Sequence, residues 1–317
     1  MPQKIIIDAD PGVDDIFTIF FALQSPELEV LGISAVFGNG GVQNTTYNAI
    51  RVVETAGIPD IPVAMGAERP LIIKPRFGGG AGVHGADGLG NAGDRLPQPK
   101  GKPVDRRAAQ FIIDTVMAHP GEVYITPLGP LTNVALAALI EPRIVGKVKG
   151  ISLMGGAAFS GGNITAVAEA NIRNDPHAAH IVFSAGWPVT MAGWDVNAEF
   201  MLNQKYMDHL TALNNPASNF LREIYPCLRD ALQLPEESID LPDLLAVAYL
   251  VDPTLFTVER YPVYVETEGY AAGQTIADRR RRPRETPGYV FTDTDILMHV
   301  DAERLRKLYY ERIAKYS

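Results

Sequence analysis

Short apolar runs alternate with helical patterns along most of the chain. Lys4–Ile7, Glu29–Phe37, Glu122–Thr126, Gly150–Met154 and Val189–Ala192 have the length and apolar character of buried strands. Between them Ile16–Leu23, Val42–Ala56, Pro130–Ile140 and Pro176–Ser184 carry helical spacing. The second places Ile50, Val53 and Ala56 inward, and the third sets Leu131, Val134, Ala135 and Leu139 on one face. Leu244–Val251 is apolar all round, which predicts a buried helix, and Asp301–Tyr316 ends the chain with Leu305, Leu308 and Ile313 in helical register. Strands followed by helices predict an α/β fold, an open, mostly parallel sheet flanked by helices in one domain over 1–317.

Two segments break this rhythm. Arg69–Gly101 is rich in glycine and proline, including Gly78-Gly79-Gly80, and predicts a mobile loop over about 76–94. Leu202–Asp240 reads as a helical insertion, a lid over about 202–240. In open α/β sheets ligands sit beyond the carboxyl ends of the strands, so those ends are where chemistry is expected.

Composition narrows the class. With 46% hydrophobic and 21% charged residues the chain is that of an ordinary globular protein. A net charge of −9 argues against a nucleic-acid partner, whose affinity rests on neutralised phosphates. No apolar run reaches the roughly 18 residues of a membrane span. The N-terminal Ile5-Ile6-Ile7 stops at Asp8, too short for a secretory signal, so a cytoplasmic location and no membrane partner are expected. The single cysteine, Cys227, excludes an internal disulfide and a cysteine-based zinc cluster.

The chemistry starts where the first strand ends. Asp8, Asp10, Asp14 and Asp15 fall within eight residues, with Pro11-Gly12 forcing a turn between them. Converging carboxylates resist ionisation unless a cation sits among them, and oxygen-only ligands suit a hard ion, Ca²⁺ or Mg²⁺. The plainer reading is a solvated loop with Asp15 at a helix N-terminus.

Asp8-Ala9-Asp10-Pro11-Gly12-Val13-Asp14-Asp15 resembles the signature of the nucleoside hydrolases of the inosine–uridine-preferring type. Further blocks resemble the same family in the same order: Gly38-Asn39, Val83-His84-Gly85, Thr126 to Asn133, Met154-Gly155-Gly156, Asn163, Glu169-Ala170-Asn171 with Asp175-Pro176, and Asp243-Leu244-Leu245-Ala246. The resemblance implies the nucleoside hydrolase fold, with a mixed sheet around a Rossmann-like core. It implies Ca²⁺-dependent hydrolysis of the N-glycosidic bond of ribonucleosides to free base and ribose. By this mapping Asp10, Asp15, the carbonyl of Thr126 and Asp243 hold Ca²⁺, and Asp10 is also the general base. Asp14, Asn39, the backbone of Met154, Asn163, Glu169 and Asn171 bind ribose, and His84 lines the base end with a catalytic role. The implied partner is a small-molecule ribonucleoside, and relatives are homo-oligomers, dimer or tetramer.

One position departs from that pattern. Many members carry a histidine directly before the last metal-binding aspartate, and here Pro242 stands there, unable to donate a proton. Activation of the leaving base by an aromatic side chain is the substitute, with Tyr225, Trp194 and Tyr249 as candidates. Pro242 also motivates a second reading, a weakened member that binds nucleoside or ribose, or a hydrolase of an unusual riboside. Asp8-x-Asp10 invokes a phosphoryl-transfer hydrolase of the haloacid dehalogenase type, which Pro11-Gly12 contradicts. The arginine run in Asp278–Arg284 reads as a charged loop, with subunit contact or anion binding as alternatives.

Overall fold

A computed structural model describes residues 1–74, 80–280 and 292–317. Part of the expected loop at 76–94 and part of the arginine run therefore lie outside the described residues. In chain order the first half comprises β1 (Gln3–Ala9), α1 (Val13–Leu23), β2 (Leu28–Ala35), α2 (Val42–Thr55), β3 (Val63–Met65), α3 (Ala81–His84), α4 (Ala108–Ala118), β4 (Val123–Pro127), α5 (Thr132–Ile140) and β5 (Gly150–Met154). Then follow α6 (Ala170–Asn174), α7 (Pro176–Ser184), β6 (Val189–Ala192), α8 (Trp194–Asn197), β7 (Met201–Leu202), α9 (Gln204–Thr211), α10 (Pro216–Leu232) and β8 (Ile239–Asp240). The chain closes with α11 (Pro242–Val251), β9 (Phe256–Val265), β10 (Thr275–Ala277), β11 (Asp293–Val300) and α12 (Ala302–Ile313).

Among the described residues nine strands form one sheet in the order β10-β9-β11-β6-β5-β4-β1-β2-β3. From β11 to β3 neighbours run parallel, whereas β9 pairs antiparallel with β11 and β10, which makes the sheet mixed. The central strand shows why the N-terminal run is apolar at consecutive positions. Ile5 and Ile7 face one core with α1, α10, α11 and α12, and Ile6 faces the other with α4, α5 and α7, all three at 0% exposure. The all-apolar α11 is buried as expected, wedged between α1 and β5.

Two expectations are corrected, and further elements are added. On α5 the inward face is Leu131, Val134, Ala135 and Ala138, while Leu139 is 57% exposed. Ala138 is the residue seven beyond Leu131, two full turns on, so it rather than Leu139 stays on the buried stripe. The segment 202–240 is not wholly helical: β7 and β8 at its two ends pair antiparallel and close it into a unit around α9 and α10. The strands β9, β10 and β11 and the helix α4 are additions to the pattern read from the sequence. No helix of the described residues is long and apolar enough to cross a membrane.

Candidate active site

The order of the strands reverses at β1, which is followed in the chain by β2 on one side and flanked by β4 on the other. The carboxyl ends of these strands are level, with Ile7 opposite Thr126, Asp8 opposite Pro127 and Ala9 opposite Ala35. This is the crevice where ligands of such sheets bind. Asp10 follows β1 directly and is 2% exposed. Its Oδ2 accepts the backbone N–H of Asn39 at 2.7 Å, and its Oδ1 has no partner. A Cβ at position 129 would strike that Oδ1, so Gly129 is the residue that lets the loop after β4 close over the carboxylate.

Asp14 and Asp15 come from the first turn of α1. Asp15 Oδ2 accepts Gly12 N–H at 2.9 Å and the Asn39 amide at 3.0 Å, so one oxygen does cap the helix while Oδ1 is left without a partner. Asp14 Oδ1 is also unpartnered. Asp243 arrives from the far end of the sequence, at the second position of α11, and is 2% exposed. Pro242 is the first residue of that helix, where its fixed φ and missing N–H cost nothing. Ligand oxygens of Asp14, Asp15 and Asp243 all lie within 4.8 Å of one another. Asp10 is outside that set of three but faces Asp15 closely enough that the two charges repel. Burial, reinforced by Asp15, holds the Asp10 carboxyl well above the usual carboxylate range. Burial with Asp14 does the same to Asp15, and burial with Asp15 to Asp243. Thr126 is fully buried near the end of β4, and its Oγ1 has no partner.

The donor set fits a hard cation. It consists of carboxylates and a backbone-rich strand end, its orphaned oxygens are buried, and its mutual repulsion is the kind that a positive charge removes.

His84, the last residue of α3, is 7% exposed. Its Nδ1 accepts Val13 N–H at 3.1 Å and stands 3.6 Å from Asp14 Oδ1. Burial lowers its pKa. A nitrogen that accepts from an amide carries no proton, so the ring is neutral with its hydrogen on Nε2. Gly12 makes this approach possible, since a Cβ there would sit 2.6 Å from Asn39 Nδ2 and 2.8 Å from His84 Nδ1.

On the other side of the crevice lies the segment after β5. Glu169 caps α6 and is 1% exposed. Its Oε1 accepts Asn171 N–H at 2.7 Å, its Oε2 those of Gly156 at 3.0 Å and Ile172 at 3.2 Å, and burial raises its pKa to about 7. Asn171 Nδ2 donates to the carbonyls of Leu128 at 2.6 Å and Met154 at 3.3 Å, tying the ends of β4 and β5 together. Asn163 borders this group through Ala170, the residue between Glu169 and Asn171. It is exposed, and its Oδ1 accepts Ala170 N–H at 2.9 Å. Of the aromatic candidates, Tyr225 is 9% exposed, with its hydroxyl accepting from Gln204 at 3.1 Å. Trp194 and Tyr249 are half-buried against the core.

Three acids were given no site role in the sequence reading. Asp8 lies fully buried behind Asp10, where Oδ1 accepts Ser34 Oγ and Asn133 Nδ2, and burial lifts its pKa to about 7. Asn133 sits in the Thr126 to Asn133 block, so its membership in a motif was the available signal. Asp240, raised by burial, is held by Asn197 Nδ2 at 2.7 Å and feels the charge of Asp14. Asp195 binds backbone alone and offers no side-chain signature.

Comparison with known proteins agrees with this geometry. The family described as inosine-uridine preferring nucleoside hydrolase matches residues 5–307. The chain is 40% identical over 288 residues to the inosine-uridine preferring nucleoside hydrolase of Leishmania major, covering 90% of each chain. It is 41% identical over 280 residues to a probable uridine nucleosidase of Oryza sativa subsp. japonica, covering 87% of this chain and 85% of the relative. A solved structure of a purine-preferring ribonucleoside hydrolase from Gardnerella vaginalis superposes with a TM-score of 0.90 at 35% identity, over 98% of both chains.

Proposed function

Because the chain belongs to the inosine-uridine preferring nucleoside hydrolase family and is an N-ribosyl hydrolase, we propose that it cleaves ribonucleosides in a Ca²⁺-dependent reaction with Asp10 as the general base. The observation that carries this reading is the cluster of Asp14, Asp15 and Asp243 within 4.8 Å, with buried, unpartnered oxygens on Asp10, Asp14 and Asp15. Asp10, Asp15, Asp243 and the Thr126 carbonyl would hold the ion, and Asp14 stands close enough to join them. When bound, the cation supplies the positive charge that lets these carboxylates ionise and makes a neighbouring water more acidic.

The remaining chemistry belongs to the chain. Asn39 N–H fixes one oxygen of Asp10, which leaves Oδ1 to take a proton from the attacking water. Asp14, Asn39, the Met154 backbone, Asn163, Glu169 and Asn171 bind the ribose hydroxyls, groups that both donate and accept. Carboxylates around C1′ stabilise the oxocarbenium-like charge that develops as the bond breaks. His84 presents Nε2–H as a neutral donor at the base end. Proline at position 242 serves the start of α11 and takes no part in proton transfer. Residues 80–94, the described part of the loop at 76–94, and the segment 202–240 act as covers over this site. The same reading carries a cytoplasmic homo-oligomer, for which Leu139 and Ile140, 57% and 61% exposed, offer apolar surface.

A panel of ribonucleosides and 2′-deoxyribonucleosides, assayed for released reducing sugar with and without Ca²⁺, tests the proposal. Ribonucleosides should be hydrolysed only with the ion. Deoxy analogues should be slower by about 10⁴-fold, because a site built to bond a hydroxyl leaves its own buried groups unpaired without it. Comparable turnover of both sugars would overturn the ribose assignment.

A second expectation concerns Asp10 first of all. Gly129→Ala places a methyl against Asp10 Oδ1. The carboxylate must turn, and a displacement of about 1 Å at a reacting group costs about 10²-fold in rate. Steady-state kinetics should show that loss in kcat with KM nearly constant.

A further inference from the structure

The loop that follows β5 has an unusual support. Six consecutive backbone N–H groups, from Gly155 to Ser160, each donate to an acceptor outside the loop. Gly155 donates to the Ala192 carbonyl at 3.2 Å, Gly156 to Glu169 Oε2 at 3.0 Å, and Ala157 to Thr275 Oγ1 at 2.7 Å. The next three all go to one side chain: Ala158 to Asp195 Oδ2 at 2.9 Å, and Phe159 and Ser160 to Asp195 Oδ1 at 2.6 and 2.8 Å. Hydrogen bonds to an ionised acceptor are about twice as strong as neutral ones. Ala158 and Phe159 are only partly buried and Ser160 is exposed, so water could otherwise serve these amides and the loop would be free to drift.

Further contacts pin the same stretch. The Phe159 ring meets Tyr261 edge-on at 5.6 Å, and the Arg279 guanidinium lies 5.0 Å from its centre. Trp194, the neighbour of Asp195, donates its backbone N–H to the Gly156 carbonyl at 2.7 Å. The row ends three residues before Asn163, and at Gly156 it shares a carboxylate with Glu169, the residues assigned above to ribose.

We propose that Asp195 is a positioning residue, whose carboxylate gathers the amides of 158–160 and so holds the ribose side of the site in place. It touches neither the metal cluster nor Asp10. The inference rests on the ribose assignment of Glu169 and Asn163, and its effect should fall on sugar binding more than on the chemical step.

The test compares wild type with Asp195→Asn, which keeps the shape and removes the charge. Three measurements are made: kcat and KM for a ribonucleoside, ribose affinity by calorimetry with Ca²⁺ present, and backbone hydrogen exchange without substrate. Losing one charge-assisted bond corresponds to about tenfold or more in affinity. KM should rise and ribose affinity fall by that factor, with kcat within about threefold, the pattern of lost uniform binding. Exchange at 158–160 should quicken while that of α4 is unchanged. Thr275→Val, which removes only the acceptor of Ala157, should shift KM in the same direction by less. Unchanged KM in Asp195→Asn, or a raised KM with unchanged exchange at 158–160, would overturn the inference. Failure of the wild-type protein to cleave any ribonucleoside would instead overturn the proposed function, while the exchange comparison would still decide what Asp195 does to the loop.

Discussion

Asp10→Asn is expected to lower kcat by about 10³- to 10⁴-fold while the protein stays folded. A positioned general base contributes about 10²- to 10⁴-fold, and this residue is also proposed to hold the cation, so the loss should sit in the upper part of that range. The amide is isosteric, and its oxygen can still accept the Asn39 N–H that now binds Oδ2. It cannot take a proton from water. The stability effect should have the opposite sign. Wild-type Asp10 is 2% exposed beside Asp15, and its carboxyl is held well above the ordinary range by burial first and by that charge second. Removing the charge removes that penalty, so the metal-free variant should melt higher than metal-free wild type at pH 8. Wild-type kcat in Asp10→Asn would reject Asp10 as the base, and a lower melting temperature would reject the account of its burial.

Stripping the protein with a chelator should abolish hydrolysis, and Ca²⁺ should restore it. The thermal effect of the ion should depend on pH in a definite direction. In the metal-free fold Asp10, Asp15 and Asp243 have pKa values well above the normal one, and Asp8 and Glu169 lie at about 7. Unfolded carboxyls titrate near 4. Between about pH 4 and these raised values the folded state therefore binds more protons than the unfolded state. Metal-free stability must then fall as pH rises through that window. A cation has to displace those protons, so its affinity grows with pH. Melting curves with chelator and with Ca²⁺ should nearly coincide at pH 5 and separate by several degrees at pH 8. An ion at a hundred times its dissociation constant adds about 2.7 kcal/mol. Equal separation at both pH values would mean that the acids do not release protons to the ion.

Much of this site was legible because parallel interior strands announce themselves. β5 and β6 run over the residues expected of them, and β1 places Asp10 at a strand end as its apolar run requires. Meeting of the acids followed from their density after one strand and from their places in the family pattern. The edge of the sheet was not legible. β9 alternates poorly: four of its residues in a row, 257–260, are exposed, and β10 pairs only with Val263–Val265 beyond them. β3 is three residues long, too short for any period to register. The tautomer of His84 depends on a single amide 71 positions away in the chain, and the hold of Asp195 depends on amides alone. Backbone donors are the same at every residue but proline, so no side-chain pattern can mark them.

The place of Asp243 on α11 bears on how the molecule comes into being. Translation delivers the amino-terminal acids first, and their counterpart, Asp243, follows 228 residues after Asp15 (243 − 15). Domains generally fold as units during synthesis, and a pocket shared by both ends cannot close before the later one arrives. Until then the early carboxylates have no reason to leave water, and the nascent strand that bears them lacks a finished edge. Assembly of the acidic cluster is thus a late event in biogenesis, and truncation anywhere upstream of position 243 would yield a chain with no means of completing it.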